Sequence, residues 1–359
     1  MHGNFTEDMK KTLFFITLLM LTIVSTTNCL AEKKFSAYAI GFYNLENLFD
    51  TIHDAGKNDY EYLPSASGKW NTMKYESKLK NMSRTLADMG TDMIKGVGCA
   101  IIGVSEVEND RVLTDLCNQP SLKAHNMQFI HVEGPDKRGI DCAMLYNPKY
   151  FTPERTVLHP YIPDTDMYPE YKTRGFLTTT GTLAGEHIAI IVNHWPSRFA
   201  TGHFRDHAGK QVRLVKDSLQ KADPEIKIFI MGDMNDDPFN DSMAKHLGAR
   251  QEMNEVEEGG LWNPWWNILA KEGRGTLMYD GSWNLFDQIV ISGNLLNKDG
   301  KKNFNTLKYY KHNIFTRDYL IQQEGKYKGN PLRTKASGAW LNGFSDHLPT
   351  VVYLLKEQK

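Results

Sequence analysis

Charge of one sign is scarce in this sequence: 42 lysines and arginines face 43 aspartates and glutamates, a formal net charge of −1. Proteins that hold nucleic acid by bulk electrostatics are basic, so a phosphate-bearing substrate must be gripped by a local site or a metal. Cysteine is also rare. Of the four, Cys29 lies in a leader-like segment, and Cys99, Cys117 and Cys142 form an odd set without metal-type spacing, which excludes a disulfide framework. No Gly-x-Ser-x-Gly elbow occurs, so the adjoining Ser345, Asp346 and His347 are no serine-hydrolase triad, whose members meet from separate segments. His203 and His207 have i, i+4 spacing, but the glutamate of a zincin motif is missing, and Pro196 and Gly202 argue against a helix there. Neither an internal repeat nor a low-complexity tract is present.

Long apolar runs are confined to one place. Residues 9–31 carry Lys10 and Lys11, then Leu13 to Val24, then small and polar residues ending in Ala31. The run is short for a membrane span and has the layout of a secretory signal cleaved after Ala31, giving a secreted or periplasmic protein. A lipoprotein acylated at Cys29 is the alternative, although Thr27 and Asn28 fit that processing poorly. With 359 residues and 41% hydrophobic content, the remainder, 32–359, suffices for one domain.

Its organising stretch is residues 226–238, where Ile226, Ile228, Phe229, Ile230 and Met231 predict a strand covered on both faces. Gly232 is expected to let the backbone turn, and Asp233, Asn235, Asp236 and Asp237 follow before Pro238. The same move from strand to polar tip recurs. Residues 35–43 lead to Asn44 and Glu46, 100–104 to Glu106, and 187–192 to Asn193, His194 and Arg198. Asp287 lies within the apolar run 285–291, and Ser345, Asp346 and His347 precede a last strand, 350–354. Paired strands are expected at 127–132 and 140–146 around a loop containing Arg138, and a hairpin joins 176–183 to 187–192 through Ala184 and Gly185. Tyr75, Leu79, Met82, Leu86 and Met89 mark a helix closed by Gly90. Ala208, Val212, Val215 and Leu219 mark another, with Lys210 and Arg213 on a solvated face. Segments 240–282 and 297–343 read as long loops. Many strands with few helices suggest two sheets packed face to face with helices outside.

Taken in order, Asn44-x-Glu46, Glu106, Asn193-His194, Gly232-Asp233-Met234-Asn235, Asp287 and Ser345-Asp346-His347 resemble the motif series of the endonuclease/exonuclease/phosphatase superfamily. The resemblance covers nearly all of the chain after the leader. It implies an α/β fold, a four-layer α/β/β/α sandwich of two packed mixed sheets, and metal-dependent hydrolysis of phosphoesters. Mg²⁺, or Mn²⁺ in its place, takes oxygen ligands and keeps several waters, so few carboxylates are needed. By resemblance, Glu106 would be a ligand, with Glu46 and Asp346 completing that site or holding a second ion. His347 would be polarised by Asp287, while Asp233 orients or deprotonates the attacking water. Asn44, Asn235 and His194 would donate to phosphate oxygens, His194 also assisting the leaving group if protonated. Asn193, Arg138 and Arg198 are further candidates for phosphate contacts. DNA or RNA is the leading substrate, a small or head-group phosphate the alternative, and a non-catalytic binding protein a third reading. No stable protein partner and no membrane span beyond the leader are implied. Trp262, Trp265 and Trp266 would either stack on a base or bury their loop against the body.

Overall fold

Side chains along the buried strands alternate between two faces, which divides the apolar residues between two cores. In the computed structural model the strands are, in chain order, β1 (Phe35–Leu48), β2 (Ile101–Val107), β3 (Gln128–His131), β4 (Asp141–Tyr146), β5 (Phe151–His159), β6 (Phe176–Leu183), β7 (Glu186–His194), β8 (Lys227–Asp233), β9 (Ala249–Arg250), β10 (Leu261–Trp262), β11 (Leu277–Tyr279), β12 (Ser282–Asn284), β13 (Asp287–Ser292), β14 (Lys308–Ile314), β15 (Lys335–Ala336), β16 (Ala339–Trp340) and β17 (Thr350–Glu357). The structure describes residues 33–358 except 165–169, 299, 301 and 337. The expected leader, 1–31, and Cys29 lie outside the described residues. Residues Ser36–Glu357 pack as one unit.

One mixed sheet has the order β14-β17-β1-β2-β4-β3 and the other β5-β6-β7-β8-β13-β10-β9. Strands β2 and β4 pack against β7, and β2 also against β8, so the sheets lie face to face. From β7 and β8, Ile188, Ile190, Val192, Phe229 and Met231 enter the core between the sheets, while Ala189, Ile191, Ile228 and Ile230 enter a second core under the helix Gly202–Ala222. The first sheet is covered by the helix Thr72–Asp88, whose Tyr75, Leu79, Met82 and Leu86 are buried, with the Asn71 side chain accepting from Lys74 N at its start. This is the four-layer arrangement of two packed mixed sheets with outer helices.

Some expectations change. The helix begins at Gly202 and runs through both His203 and His207, because the break lies upstream of it, in the turn after Pro196. The segments read as loops contribute β9 and β10 to one sheet edge and β14 to the other. Strand β5, not foreseen, is also an edge strand, and it tolerates Pro153 next to a register shift between Pro153 and Arg155 because an edge need not donate every amide. The hairpin turn is as expected, with φ of +56° at Ala184 and +73° at Gly185, the sign a two-residue type I′ turn requires at both positions.

Gly232 is not a turn residue. It lies inside β8, paired in parallel with Asn193 of β7, and an added Cβ would sit 2.2 Å from the Asn193 carbonyl oxygen. Backbone cannot yield as a side chain can. Gly232→Ala should therefore lower stability by about 1–3 kcal/mol or more, read as a reduced urea midpoint. A midpoint equal to wild type would show that β7 and β8 separate freely there.

Candidate active site

Parallel pairing of β1 with β2 and of β7 with β8 brings their carboxyl ends together, and the register sets Asn44 beside Ser105 and His194 beside Asp233. Antiparallel β13 begins at the same edge, with Asp287 opposite Asp233. Asp287 thus opens its strand, fully buried. Asn44 Nδ2 donates to Asp233 Oδ2 at 3.0 Å and to Glu106 Oε1 at 3.3 Å. The second Glu106 oxygen accepts from Asn47 N at 2.8 Å. His194 Nε2 stands 3.7 Å from Glu106 Oε1 and 3.8 Å from Asp233 Oδ2, too far for hydrogen bonds but within the same small space. Of the nine non-glycine residues with positive φ among those described, four (Glu46, Asn47, Glu106 and Asn235) lie at these strand ends. Backbone held in that region is costly unless its surroundings impose it, and it concentrates at functional sites.

The imidazole of His347 is held from one side, its Nδ1 2.7 Å from Asp287 Oδ2, which also accepts from Thr276 Oγ1 at 2.5 Å. Its Nε2 faces Asp233 Oδ2 at 3.8 Å and Asp346 Oδ1 at 3.9 Å. Burial works against a charged imidazole, but the Asp287 and Asp233 carboxylates outweigh it and hold His347 well above the ordinary histidine range. Burial is also the largest influence on Asp233; with the Asp287 and Glu106 charges adding and His347 opposing, its carboxyl is pushed up to about 7. His194 moves the other way. Burial, then the positive charges of Arg174 and Arg138, press it well below the ordinary range, which favours a neutral ring, so the condition for leaving-group assistance by a protonated His194 is not met.

Other candidates have different surroundings. Asn193 donates its amide to the carbonyls of Ile191 and Met231, at 2.9 and 3.0 Å, and is fully buried, so it braces β7 against β8. Arg198 binds Asn235 O, Asn284 Oδ1 and Asp237 Oδ2 at 3.0–3.1 Å and lies over the Phe286 ring, which makes it a clamp on the loop after β8. Asn235 donates to Trp195 O at 3.0 Å, and its own N–H caps Asp233 Oδ1 at 2.9 Å. Arg138, by contrast, is 48% exposed and open to a ligand. Glu46 and Asp346 are bridged by Arg333, which bonds Glu46 Oε1 at 3.1 Å and Asp346 Oδ2 at 2.8 Å. Trp262 and Trp265 bury their segment against the body, and their indole N–H groups donate to Gln251 O and Ile289 O. Trp266, half-buried, starts a short helix.

Sequence reasoning missed Arg333, Arg174, Thr276 and Lys78. Arg174, buried, ties Asp136 Oδ2 to Trp195 O, both at 3.0 Å. Lys78 alone carried a signal, since it falls three residues after Tyr75 and four before Met82 on the buried stripe of its helix.

A model of the endonuclease/exonuclease/phosphatase family matches residues 39–356. The chain belongs to that family. No curated protein sequence matches it significantly. Solved structures share the fold at low identity. An endonuclease/exonuclease/phosphatase family protein of Bacteroides thetaiotaomicron is 15% identical with a TM-score of 0.53, over 90% of this chain and 97% of that one. The mannosyl-6-phosphatase of the same organism has 15% identity and a TM-score of 0.53, over 88% and 99%. TDP2 of D. rerio, solved with a single-strand DNA product, has 14% identity and a TM-score of 0.52, over 89% and 99%.

Members of this family depend on a metal, and the donor set here fits one. Among the described residues Glu106 Oε1 accepts only the 3.3 Å hydrogen bond from Asn44, Asp287 Oδ1 is buried with no hydrogen-bond partner, and all nearby carboxylates are hard oxygen donors suited to Mg²⁺ or Mn²⁺. Asp233, Asp287 and His347 also offer ligand atoms within 4.8 Å of one another, although the Asp287–His347 hydrogen bond already engages two of them.

If Asp287 acts by orienting and charging His347, the two form one unit. Asp287→Asn and His347→Ala should each cut kcat/KM, and the double variant should be scarcely slower than His347→Ala. Losses that multiply, measured where all four proteins are folded, would refute the pairing.

Proposed function

We propose that this protein is a divalent-metal-dependent phosphoester hydrolase that cleaves phosphodiester bonds in DNA or RNA by in-line attack of water. The observation that carries this reading is the meeting of Asn44, Glu106, His194, Asp233 and the Asp287–His347 pair at one edge of both sheets, within 2.7–3.8 Å of their neighbours. A cavity of about 620 Å³ lies beside this edge; it is walled by Asp346 and Arg333 together with Lys74, Lys335, Trp340 and Tyr327, and not by Glu106, Asp233 or His347 themselves. Its cations and aromatic rings suit an anionic substrate with flat groups.

Glu106 would hold the ion, which supplies Lewis-acid neutralisation of charge on the phosphate oxygens when bound. Asp233 is placed to orient water and take its proton. A carboxyl near neutrality is well matched to that task. His347, kept cationic by Asp287, directs Nε2 toward the space beside Asp233 and would stabilise charge developing on phosphate or on the leaving oxygen. Neutral His194 and the Asn44 amide add hydrogen bonds without adding charge, and Arg138 offers an exposed guanidinium to a neighbouring phosphate. A second reading, hydrolysis of a small phosphate ester, is favoured by the volume of the cavity, which is in the range of small-ligand pockets, and by the sugar phosphatase among the similar structures.

Purified protein should nick plasmid DNA or degrade RNA with Mg²⁺ or Mn²⁺ and stop in EDTA. Glu106→Gln, which keeps shape but loses charge, should lower kcat/KM by roughly 100-fold or more while the circular dichroism spectrum is retained. Activity on sugar phosphates alone would move the assignment to the second reading, and metal-independent turnover would sink both.

We also infer that the chain is exported after removal of residues 1–31, on the layout of its lysines, apolar run and Ala31. Mass spectrometry of exported protein should find an N-terminus near Glu32. A diacylglyceryl group on Cys29 would establish the lipoprotein route in its place.

A further inference from the structure

Two carboxylates expected to serve a metal, Glu46 and Asp346, flank a single guanidinium. Arg333 Nε donates to Glu46 Oε1 at 3.1 Å and Arg333 Nη2 donates to Asp346 Oδ2 at 2.8 Å. The other Glu46 oxygen accepts from Thr334 N at 2.6 Å, and the Thr334 hydroxyl accepts from the fully buried Lys78 ammonium at 2.5 Å. Both oxygens of Glu46 are therefore bonded, and two basic groups lie close to it: the permanently charged Arg333 guanidinium, and the Lys78 ammonium, which burial pushes down to about 8. Each pays part of the desolvation of a carboxylate that is only 4% exposed.

A divalent ion placed between Glu46 and Asp346 would have to displace the guanidinium or sit against it. Arginine does not deprotonate in proteins, so the repulsion persists at any working pH. Glu106 is differently situated. It accepts from the Asn44 amide and from Asn47 N, and among the described residues no cationic side chain is hydrogen-bonded to it and its Oε1 has only the one long hydrogen bond. We propose that Arg333 is a built-in cation filling the place of a second divalent ion between Glu46 and Asp346, so that the cleft takes one ion, at Glu106. This rests on the metal-dependent reading above. Arg333 is then a positioning residue: it fixes Asp346, and through it the segment that carries His347, with a charge that cannot dissociate.

Mn²⁺ bound per full-length chain, counted from the free-ion electron paramagnetic resonance signal at saturation, tests this without reference to turnover. Wild type should bind one ion, and Glu46→Gln should leave that count unchanged. Arg333→Met should bind two, Arg333→Lys should stay at one because the charge is kept, and Arg333→Met with Glu46→Gln and Asp346→Asn should return to one. A wild-type count of two overturns the inference alone, as does a count of one in folded Arg333→Met. Should Arg333→Met fail to fold, the wild-type and Glu46→Gln counts still decide, since loss of the bound ion in Glu46→Gln would place it at the pair. A wild-type count of zero overturns this inference and the metal-dependent reading together.

Discussion

The hydrogen bond from Asn44 Nδ2 to Asp233 Oδ2 joins the two sheets at the edge where the chemistry is gathered. Asn44 belongs to β1 of one sheet and Asp233 to β8 of the other, so the bond forms only if the sheets hold a set spacing and register. That spacing is fixed below it by apolar packing. Gly103 of β2 lies under Met231 of β8, and a Cβ on Gly103 would meet the Met231 sulfur at 2.5 Å. A bulkier residue there would have to displace the Met231 side chain and, to the extent the packed core does not let it move, would press the sheets apart. Asn44, Glu106 and Asp233 would then separate, since two come from one sheet and one from the other. The strands supply the rigidity that a precise constellation needs, because their backbones are committed to ladder hydrogen bonds and their side chains to two cores.

The central strands were legible in the sequence because strands covered on both faces read as continuous apolar runs, and 226–231 and 187–192 are such runs. Of the edge strands only β3 was, within the expected strand 127–132. β14, with Lys308, Lys311 and His312 half-exposed or exposed, has neither an apolar run nor strict alternation, and β5 contains Pro153. The polar tips of the strands were legible for a related reason: amides, acids and histidines directly after a buried strand have no role in its core. What each tip does there was less legible. Asn193 and Asn44 look alike in sequence, yet one is turned inward to bond backbone carbonyls and the other reaches across to a carboxylate. Strand alternation separates them only when the register of both sheets is known. Arg333 and Arg174 lie in segments without periodicity, and their partners are 287 and 38 residues away in sequence for Glu46 and Asp136. No local pattern can announce such contacts.

Charge balance explains how so many acids share one edge. Glu46, Glu106, Asp233, Asp287 and Asp346 are five carboxyl groups, four of them with side chains 14% exposed or less. Burying like charges together is unfavourable unless each is paired. The fold pairs them unevenly. Arg333 and Lys78 compensate Glu46 and Asp346, and His347 compensates Asp287. Among the described residues Glu106 has hydrogen-bond donors but no cationic side chain bonded to it, while Asp233 shares His347, whose Nε2 lies 3.8 Å from its Oδ2, so a net negative charge remains for a divalent ion to neutralise. The rise of Asp233 toward neutrality has the same origin, since burial and the Asp287 and Glu106 charges both favour its protonated form. A cation at Glu106 would favour the ionised form of Asp233 by the same electrostatics, so ion binding and the protonation of Asp233 are linked through one short stretch of space. The uneven pairing thus stabilises the acids that shape the cleft and leaves Glu106 the least compensated of them.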